Sequence, residues 1–262
     1  MELLTLLDLP DQEYHSIEAI SSHTLMRALK SYEHTLVPVE QTEAMRLGSA
    51  VHMACLEPER FQSEVKVLPK IDRRTKDGKA QFEALYTAQN TTWVSPEEMA
   101  ICEGVRLRWQ RLAQSNPDLE KALIGAQFEK ALFWEFDGHL CKCKFDVVSI
   151  NDDGHAHIVD LKTTKDALPD QFKWSFRNFH YDLQAYWYEW ALSNYAQERS
   201  IQLHSITYLI VAIEKEAPFE GVVYRVARER SEFQGENKLQ KAFSNLINKT
   251  SSYPSITTQE IY

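Results

Sequence analysis

The chain has 262 residues and a formal net charge of −9, with 44% hydrophobic and 26% charged residues. At roughly 100–200 residues per domain this is one large domain or two small ones, and no uncharged apolar run approaches the roughly 20 residues of a membrane-spanning helix. The N-terminus MELLTLLDLPDQEYH lacks a basic leader. Secreted, membrane-spanning and disordered classes are therefore set aside, and the negative balance excludes a protein that coats nucleic acid by bulk positive charge. The charge is uneven: residues 1–62 hold ten acids against four bases, a local −6, and the remainder carries −3.

Four cysteines are present. Cys141 and Cys143 alternate on an expected strand, on one face roughly 7 Å apart, at the far limit for a disulfide. Cys55 and Cys102 stand alone in helical patterns. This is the usage of a reduced, cytoplasmic protein, and C-x-C without a partner pair is a weak zinc signal. No repeat or low-complexity tract interrupts the chain, so a single domain is expected over residues 1–262.

In chain order, Ser22 followed by HTLMRALKSYEH reads as a capped helix, and Gln41 to about Leu56 as another, with Met45, Gly48, His52 and Cys55 at three- and four-residue steps. A polar basic loop, KVLPKIDRRTKDGK, follows. Helices are expected from about Ala80 to Gln89 and from Ser95 to Ser115, the latter with Ser95, Pro96 and Glu98 in a capping-box pattern. Residues 1–126 thus form a mainly helical part.

From about Gln127 the pattern turns to strands: Lys130–Glu135, Leu140–Ile150 and His155–Thr163, with Asp137-Gly138 and the NDDG of residues 151–154 as turns. A helix from Tyr181 to about Gln197, strands Ser205–Ile213 and Gly221–Ala227, and a helix from Ser231 to Asn248 complete the chain. The order predicts an α/β fold: a central mixed β-sheet flanked by helices, with the sheet-forming core in 127–262.

The sharpest chemical signal is KCKFDVVSINDDGHAHIVDLKTT. Period-two alternation puts Asp160 and Lys162 on one strand face, and the NDDG turn folds the strand bearing Asp146 back beside them. Two carboxylates can hold a hard divalent cation, and an adjacent lysine can orient or help deprotonate a water and offset phosphate charge. From the three-residue spacing alone, an Asp–Lys surface pair is the commoner occurrence.

Asp146 followed by Asp160-Leu161-Lys162 resembles the PD-(D/E)XK nuclease core, of restriction-endonuclease-like fold, and the wider sequence is similar to the C-terminal nuclease domain of RecE-type exonucleases (exonuclease VIII). The resemblance extends through Glu13-Tyr14-His15, Leu47 to His52 with Leu56-Glu57-Pro58, Asp72 to Lys79, Leu140 to Asp146, and Asp160 to Thr164. Phe145 stands where the motif has proline, which leaves the carboxylate ligand intact.

The resemblance implies that Asp146, Asp160, the Leu161 carbonyl and His52 bind Mg²⁺, with Mn²⁺ a substitute, and that Lys162 positions the attacking water. It implies that Glu129 is a further acid of the site, with Glu135 its rival on the same strand, and that Gln184 and Tyr188, one helical turn apart, support the site and contact DNA. Gly48, one turn before His52, is expected to admit another backbone closely. Taken alone, His52 also fits an ordinary core or surface histidine, and Tyr188 fits a buried aromatic stripe with Tyr181, Trp187 and Leu192.

Two DNA-binding surfaces are expected: the loop with Lys66, Lys70, Arg73, Arg74, Lys76 and Lys79, and the run Lys173, Trp174, Phe176, Arg177, Phe179 and His180, where aromatics interleave with bases as on single-strand stacking platforms. The loop also reads as a solvated surface, and core burial explains the aromatics equally well.

The implied activity is 5′-to-3′ digestion of one strand of linear double-stranded DNA to mononucleotides. The implied partners are double-stranded DNA ends, a RecT-like single-strand annealing protein and three further copies in a toroidal homo-tetramer, with no membrane. In such a ring the acids of residues 1–62 are expected outside and Arg73, Arg74, Lys76 and Lys79 along the DNA path. The alternative is a catalytically inactive DNA-end-binding or assembly protein of the same fold. A Cas4-like nuclease is set aside because no cysteine follows Cys143 to complete an iron–sulfur site.

Overall fold

The computed structural model describes residues 3–40, 42–69, 71–72, 74–86, 91–230 and 233–253. Its centre is a six-stranded sheet built from β1 (Leu7–Asp8), β4 (Gln127–Phe136), β5 (His139–Ile150), β6 (His155–Thr164), β7 (Ser205–Glu214) and β8 (Gly221–Arg225), in that spatial order. β4, β5 and β6 form an antiparallel meander, β6 and β7 run parallel, and β8 returns antiparallel to β7. A parallel neighbour requires a crossover. Helices α9 (Pro169–Asn178) and α10 (Tyr181–Glu198) supply it.

The remaining helices are α1 (Asp11–Ser16), α2 (Ser22–Ala28), α3 (Tyr32–Leu36), α4 (Glu43–Leu56), α5 (Pro58–Glu64), α6 (Lys76–Tyr86), α7 (Pro96–Ser115), α8 (Pro117–Leu123) and α11 (Gly235–Ile247), and β2 (Val65–Val67) pairs with β3 (Thr92–Val94) in a small separate ladder. The sheet is covered on both faces. Leu132, Trp134, Cys141, Cys143, Phe145 and Ile158 pack with Leu183 and Trp187 of α10 and with Phe243 of α11. Val147, Val159, Leu161, Leu209 and Val211 pack with Val51 and Ala54 of α4 and with Cys102, Val105 and Trp109 of α7. The expected mixed sheet flanked by helices is the fold observed.

Several element boundaries differ from expectation, each for a local reason. The helix expected to run on from Ser22 is two helices: Ser21, not Ser22, caps the first in a reciprocal box with Thr24, and Ser31 caps the second by accepting from the His34 amide. Lys76 and Lys79 belong to α6 rather than to a loop, because the Thr75 hydroxyl accepts from the Gly78 amide and starts the helix early. Residues 169–178 form a helix that the aromatic and basic run conceals, with Pro169 in its first turn. β8 stops at Arg225, two residues short of Ala227. The capping box at Ser95 and Glu98 is present as expected. Gln41, Lys70, Arg73, residues 87–90 and Ser231 lie outside the described residues.

Candidate active site

Register builds the site. Between the Phe128–Val147 and Lys130–Phe145 pairs, the ladder sets Glu129 of β4 opposite Asp146 of β5; one step beyond the Val147–Val159 pair, it sets Asp146 opposite Asp160 of β6. Three carboxylates therefore form a row across three adjacent strands. The sheet changes face there: Phe145 packs in the α10 core and Val147, two residues on, in the α4–α7 core. Glu129 takes up the inversion with a left-handed φ of 52°, a conformation that costs a residue with a side chain on the order of 1–2 kcal/mol. Beyond the end of the β5–β6 pairing, the Leu161 amide donates to Asp146 Oδ2 at 2.7 Å, fixing that carboxylate.

Like charges placed opposite one another on a sheet repel, and the surroundings answer that repulsion with cations. α4 carries His52 to the row, its Nδ1 3.5 Å from Asp146 Oδ1 and 3.7 Å from Glu129 Oε1. Burial works to lower the His52 pKa, but Asp146 and Glu129 outweigh it and hold the imidazole well above its ordinary range. Burial likewise works to raise the Asp146 pKa, yet His52 and Lys162 bring it below the usual carboxylate value. Lys144, on β5, lies 2.8 Å from Glu129 Oε2 and pairs also with Asp11 of α1.

Asp160 is buried at 3% exposure. It accepts from Gln184 Nε2 of α10 at 2.9 Å and from Lys162 Nζ at 2.7 Å. Burial raises its pKa to about 6, against the opposing pull of Lys162. For Lys162 burial works to lower the pKa, but Asp160 and Asp146 prevail and raise it, so the ammonium keeps its proton. The ring of Tyr181 lies under it, 5.2 Å from Nζ to the centroid.

These residues fit a divalent cation. Among the described residues, His52, Glu129 and Asp146 form a group whose ligand atoms all lie within 4.8 Å of one another, and Asp160 stands one strand further on. Among the described residues Glu129 Oε1 is buried without a hydrogen-bond partner, and Asp160 Oδ2 has only the ion pair with Lys162 at 2.7 Å; buried polar atoms are rarely left without a hydrogen bond. Carboxylate oxygens with one imidazole are a donor set for a hard or borderline divalent ion.

Most of the expected site residues converge. His52, Glu129, Asp146, Asp160, Lys162 and Gln184 come together as described, and Leu161 enters through its backbone amide. Tyr188 parts from Gln184: its ring packs at 9% exposure against Phe145 and Tyr208, at centroid distances of 5.5 Å and 6.5 Å. Glu135, the rival of Glu129, is exposed beside the β4–β5 turn. Gly48 admits no close backbone, since a Cβ there would meet nothing within 4 Å; the glycine leaves open space one turn before His52.

Arg74 is exposed and tied to Asp72, Lys76 and Lys79 are exposed on α6, and Lys173 and Arg177 are exposed on α9. Sequence reasoning missed Lys144, Asp11 and the stacking role of Tyr181. Lys144 was within reach, because it alternates with Asp146 on the same strand.

A family model described as a PDDEXK-like domain of unknown function (DUF3799) matches residues 14–258. The chain belongs to this family. No curated protein matches it in sequence. The crystal structure of a protein titled "Putative exonuclease" from Eubacterium rectale is similar in fold, with a TM-score of 0.53 and 17% identity over 92% of this chain and 84% of that one. A second structure, SSO0001, at 15% identity over 87% of this chain and 86% of that one, has a TM-score of 0.35, too low to carry weight. The PDDEXK-like family, read with the carboxylate row and its lysine, supports a nuclease. Among the described residues no helix is long and apolar enough to cross a membrane.

Proposed function

We propose that the chain is a divalent-metal-dependent exodeoxyribonuclease that digests one strand of linear double-stranded DNA from its 5′ end to mononucleotides. The observation that carries the nuclease reading is the Glu129–Asp146–Asp160 row with Lys162 two residues beyond Asp160 and, among the described residues, the buried Glu129 Oε1 without a hydrogen-bond partner. Asp146, Asp160, Glu129, His52 and the Leu161 carbonyl would hold Mg²⁺ or Mn²⁺. When bound, the ion supplies Lewis-acid polarisation of the scissile phosphate and a water of lowered pKa.

The chain's own groups divide the remaining work. Gln184 and Lys162 donate to Asp160 and fix its orientation, and the Leu161 amide does the same for Asp146. Lys162, kept protonated by the two aspartates, orients the attacking water and offsets charge on the phosphate rather than taking up a proton. Lys144 neutralises Glu129 from the side of α1.

The 5′ polarity, the 3′ strand passed to a single-strand annealing partner and the ring of four copies rest on the RecE-type resemblance. The exposed bases Arg74, Lys76 and Lys79 suit phosphates of a duplex. The test is a linear duplex carrying distinct labels at its 5′ and 3′ ends, incubated with Mg²⁺. Release of the 5′ label as mononucleotide while the 3′ label stays on long strands is the expected result. Release of the 3′ label first contradicts the polarity, and internal cuts contradict the exonuclease. Binding without release at any divalent ion favours an inactive end-binding protein.

A further inference from the structure

A second feature lies on the same row of the sheet. Ile210 of β7 is in register with Asp160 on one side and with Tyr224 of β8 on the other, which puts Tyr224 two strands, roughly 10 Å, from the carboxylate. There the sheet, α9 and the segment after β8 enclose a cavity of about 380 Å³, within the roughly 300–1,000 Å³ of small-ligand sites. Phe172 of α9 stacks on Tyr224, with centroids 4.7 Å apart and planes 7° apart, and the Tyr224 hydroxyl donates to the Ala167 carbonyl at 2.5 Å. Phe176, one helical turn from Phe172, extends the apolar wall.

The rim is cationic. Lys173 and Arg177 project from α9, also one turn apart, and Arg230 faces them from the segment after β8, whereas the Arg225 side chain turns to the other sheet face and donates to Thr207. No carboxylate lines the cavity among the described residues. Arg177 and Arg230 make no side-chain hydrogen bond or ion pair among the described residues, and both are exposed. Three guanidinium or ammonium groups around rigid aromatic rings suit a ligand that is both anionic and flat.

An aromatic path joins this cavity to the active site: Lys162 lies over Tyr181, and the Tyr181 ring is 6.1 Å from Phe172, which stacks on Tyr224. We infer that the groove between α9 and β8 binds unpaired nucleotides of single-stranded DNA next to the scissile end, with bases against Phe172, Phe176 and Tyr224 and phosphates on Lys173, Arg177 and Arg230. The inference rests on the nuclease reading of the neighbouring carboxylate row. Base–aromatic stacking combined with backbone cations is how single strands are held without sequence preference.

The experiment measures fluorescence anisotropy of labelled oligo(dT), about ten nucleotides long, a length typical of one single-strand site. EDTA is present, so that neither metal nor catalysis enters. The full chain is expected to bind, with affinity falling steeply as salt rises. The double variant Arg177→Ala/Arg230→Ala should bind at least about tenfold more weakly and lose about 1.4 from the salt slope, at roughly 0.7 per phosphate contact on a single strand. Phe176→Ala should weaken binding about fivefold or more without changing that slope.

The Arg variants alter exposed side chains, so they test the inference even if Phe176→Ala fails to fold. Wild-type affinity in the Arg variant, or no binding of oligo(dT) by the wild type, overturns the inference. A loss of self-association in the Arg variant with oligo(dT) affinity intact also overturns it and assigns the groove to a second copy of the chain. Failure of the nuclease reading is separately visible, as no Mg²⁺-dependent nucleotide release from linear duplex by the wild type.

Discussion

Lys144→Met removes one positive charge while keeping most of the side-chain stem. Lys144 is 11% exposed and stands between Glu129 Oε2, at 2.8 Å and 13% exposed, and Asp11. Asp11 is 45% exposed and can be rehydrated. Glu129 cannot, and it sits opposite Asp146 with His52 as its other cationic neighbour. Leaving a buried charge without its partner costs about 3–5 kcal/mol, and the solvent access of Asp11 argues for the lower end, about 3 kcal/mol. For a chain of this size that is a fall in melting temperature of about 6 °C, at roughly 2 °C per kcal/mol.

The uncovered negative charge should also make the site a stronger cation trap. The assay is thermal unfolding of wild type and variant in EDTA and in saturating Mn²⁺. Ligand that binds only the folded state stabilises according to its affinity, so the variant should gain more from Mn²⁺ than the wild type and recover part of its deficit. Equal melting temperatures in EDTA, or an equal gain from Mn²⁺ in both proteins, would refute the reasoning about Glu129.

Gln184→Leu removes the amide that orients Asp160 and should lower nuclease turnover about 10–100-fold, the usual loss when a partner supporting a metal-site ligand goes; circular dichroism should remain unchanged, and full activity would show that Lys162 orients Asp160 alone. Glu189, 2% exposed beside Arg228, has its pKa raised by burial from 4.5 to about 7. A folded-state value above the unfolded one gives stabilisation that is complete below pH 4.5 and lost as pH rises through 7. Glu189→Gln should therefore flatten urea stability over that window and gain at most about 3 kcal/mol at pH 8; an unchanged pH profile contradicts this. At Gly104 of α7 an added Cβ would meet the Phe219 ring at 2.4–2.6 Å, so Gly104→Ala should lower urea stability by about 1–3 kcal/mol, and a neutral result would show that the ring swings aside.

The sheet and the pair Asp160–Lys162 were legible because alternation fixes which side chains share a strand face, and the NDDG turn fixes which strands pair. The row of three carboxylates was only half legible. Its Asp146–Asp160 part follows from the hairpin, but the left-handed Glu129 and the exchange of core faces between Phe145 and Val147 arise from packing on both sides of the sheet, which no local pattern announces. Alternation with Asp146 could have found Lys144, but not its pairing with Asp11, 133 residues away.

The helix at residues 169–178 was hidden for another reason. Aromatics and bases alternate there in a way that suggests an open surface, whereas the helical spacing of Phe172 and Phe176 turns one side inward and leaves Lys173 and Arg177 at the rim. The two short N-terminal helices were invisible as separate units because a serine within a helical pattern reads as helix until its side chain is seen to cap.

In the proposed function the carboxylate row with its lysine performs phosphodiester hydrolysis. The most direct test is the rate of nucleotide release from 5′-phosphorylated linear duplex in Mg²⁺, measured side by side for wild type, Asp160→Asn and Lys162→Met. Release by the wild type that needs the metal, and its loss by at least about 100-fold in both variants, is the predicted result. Digestion by either variant at the wild-type rate would place the chemistry elsewhere.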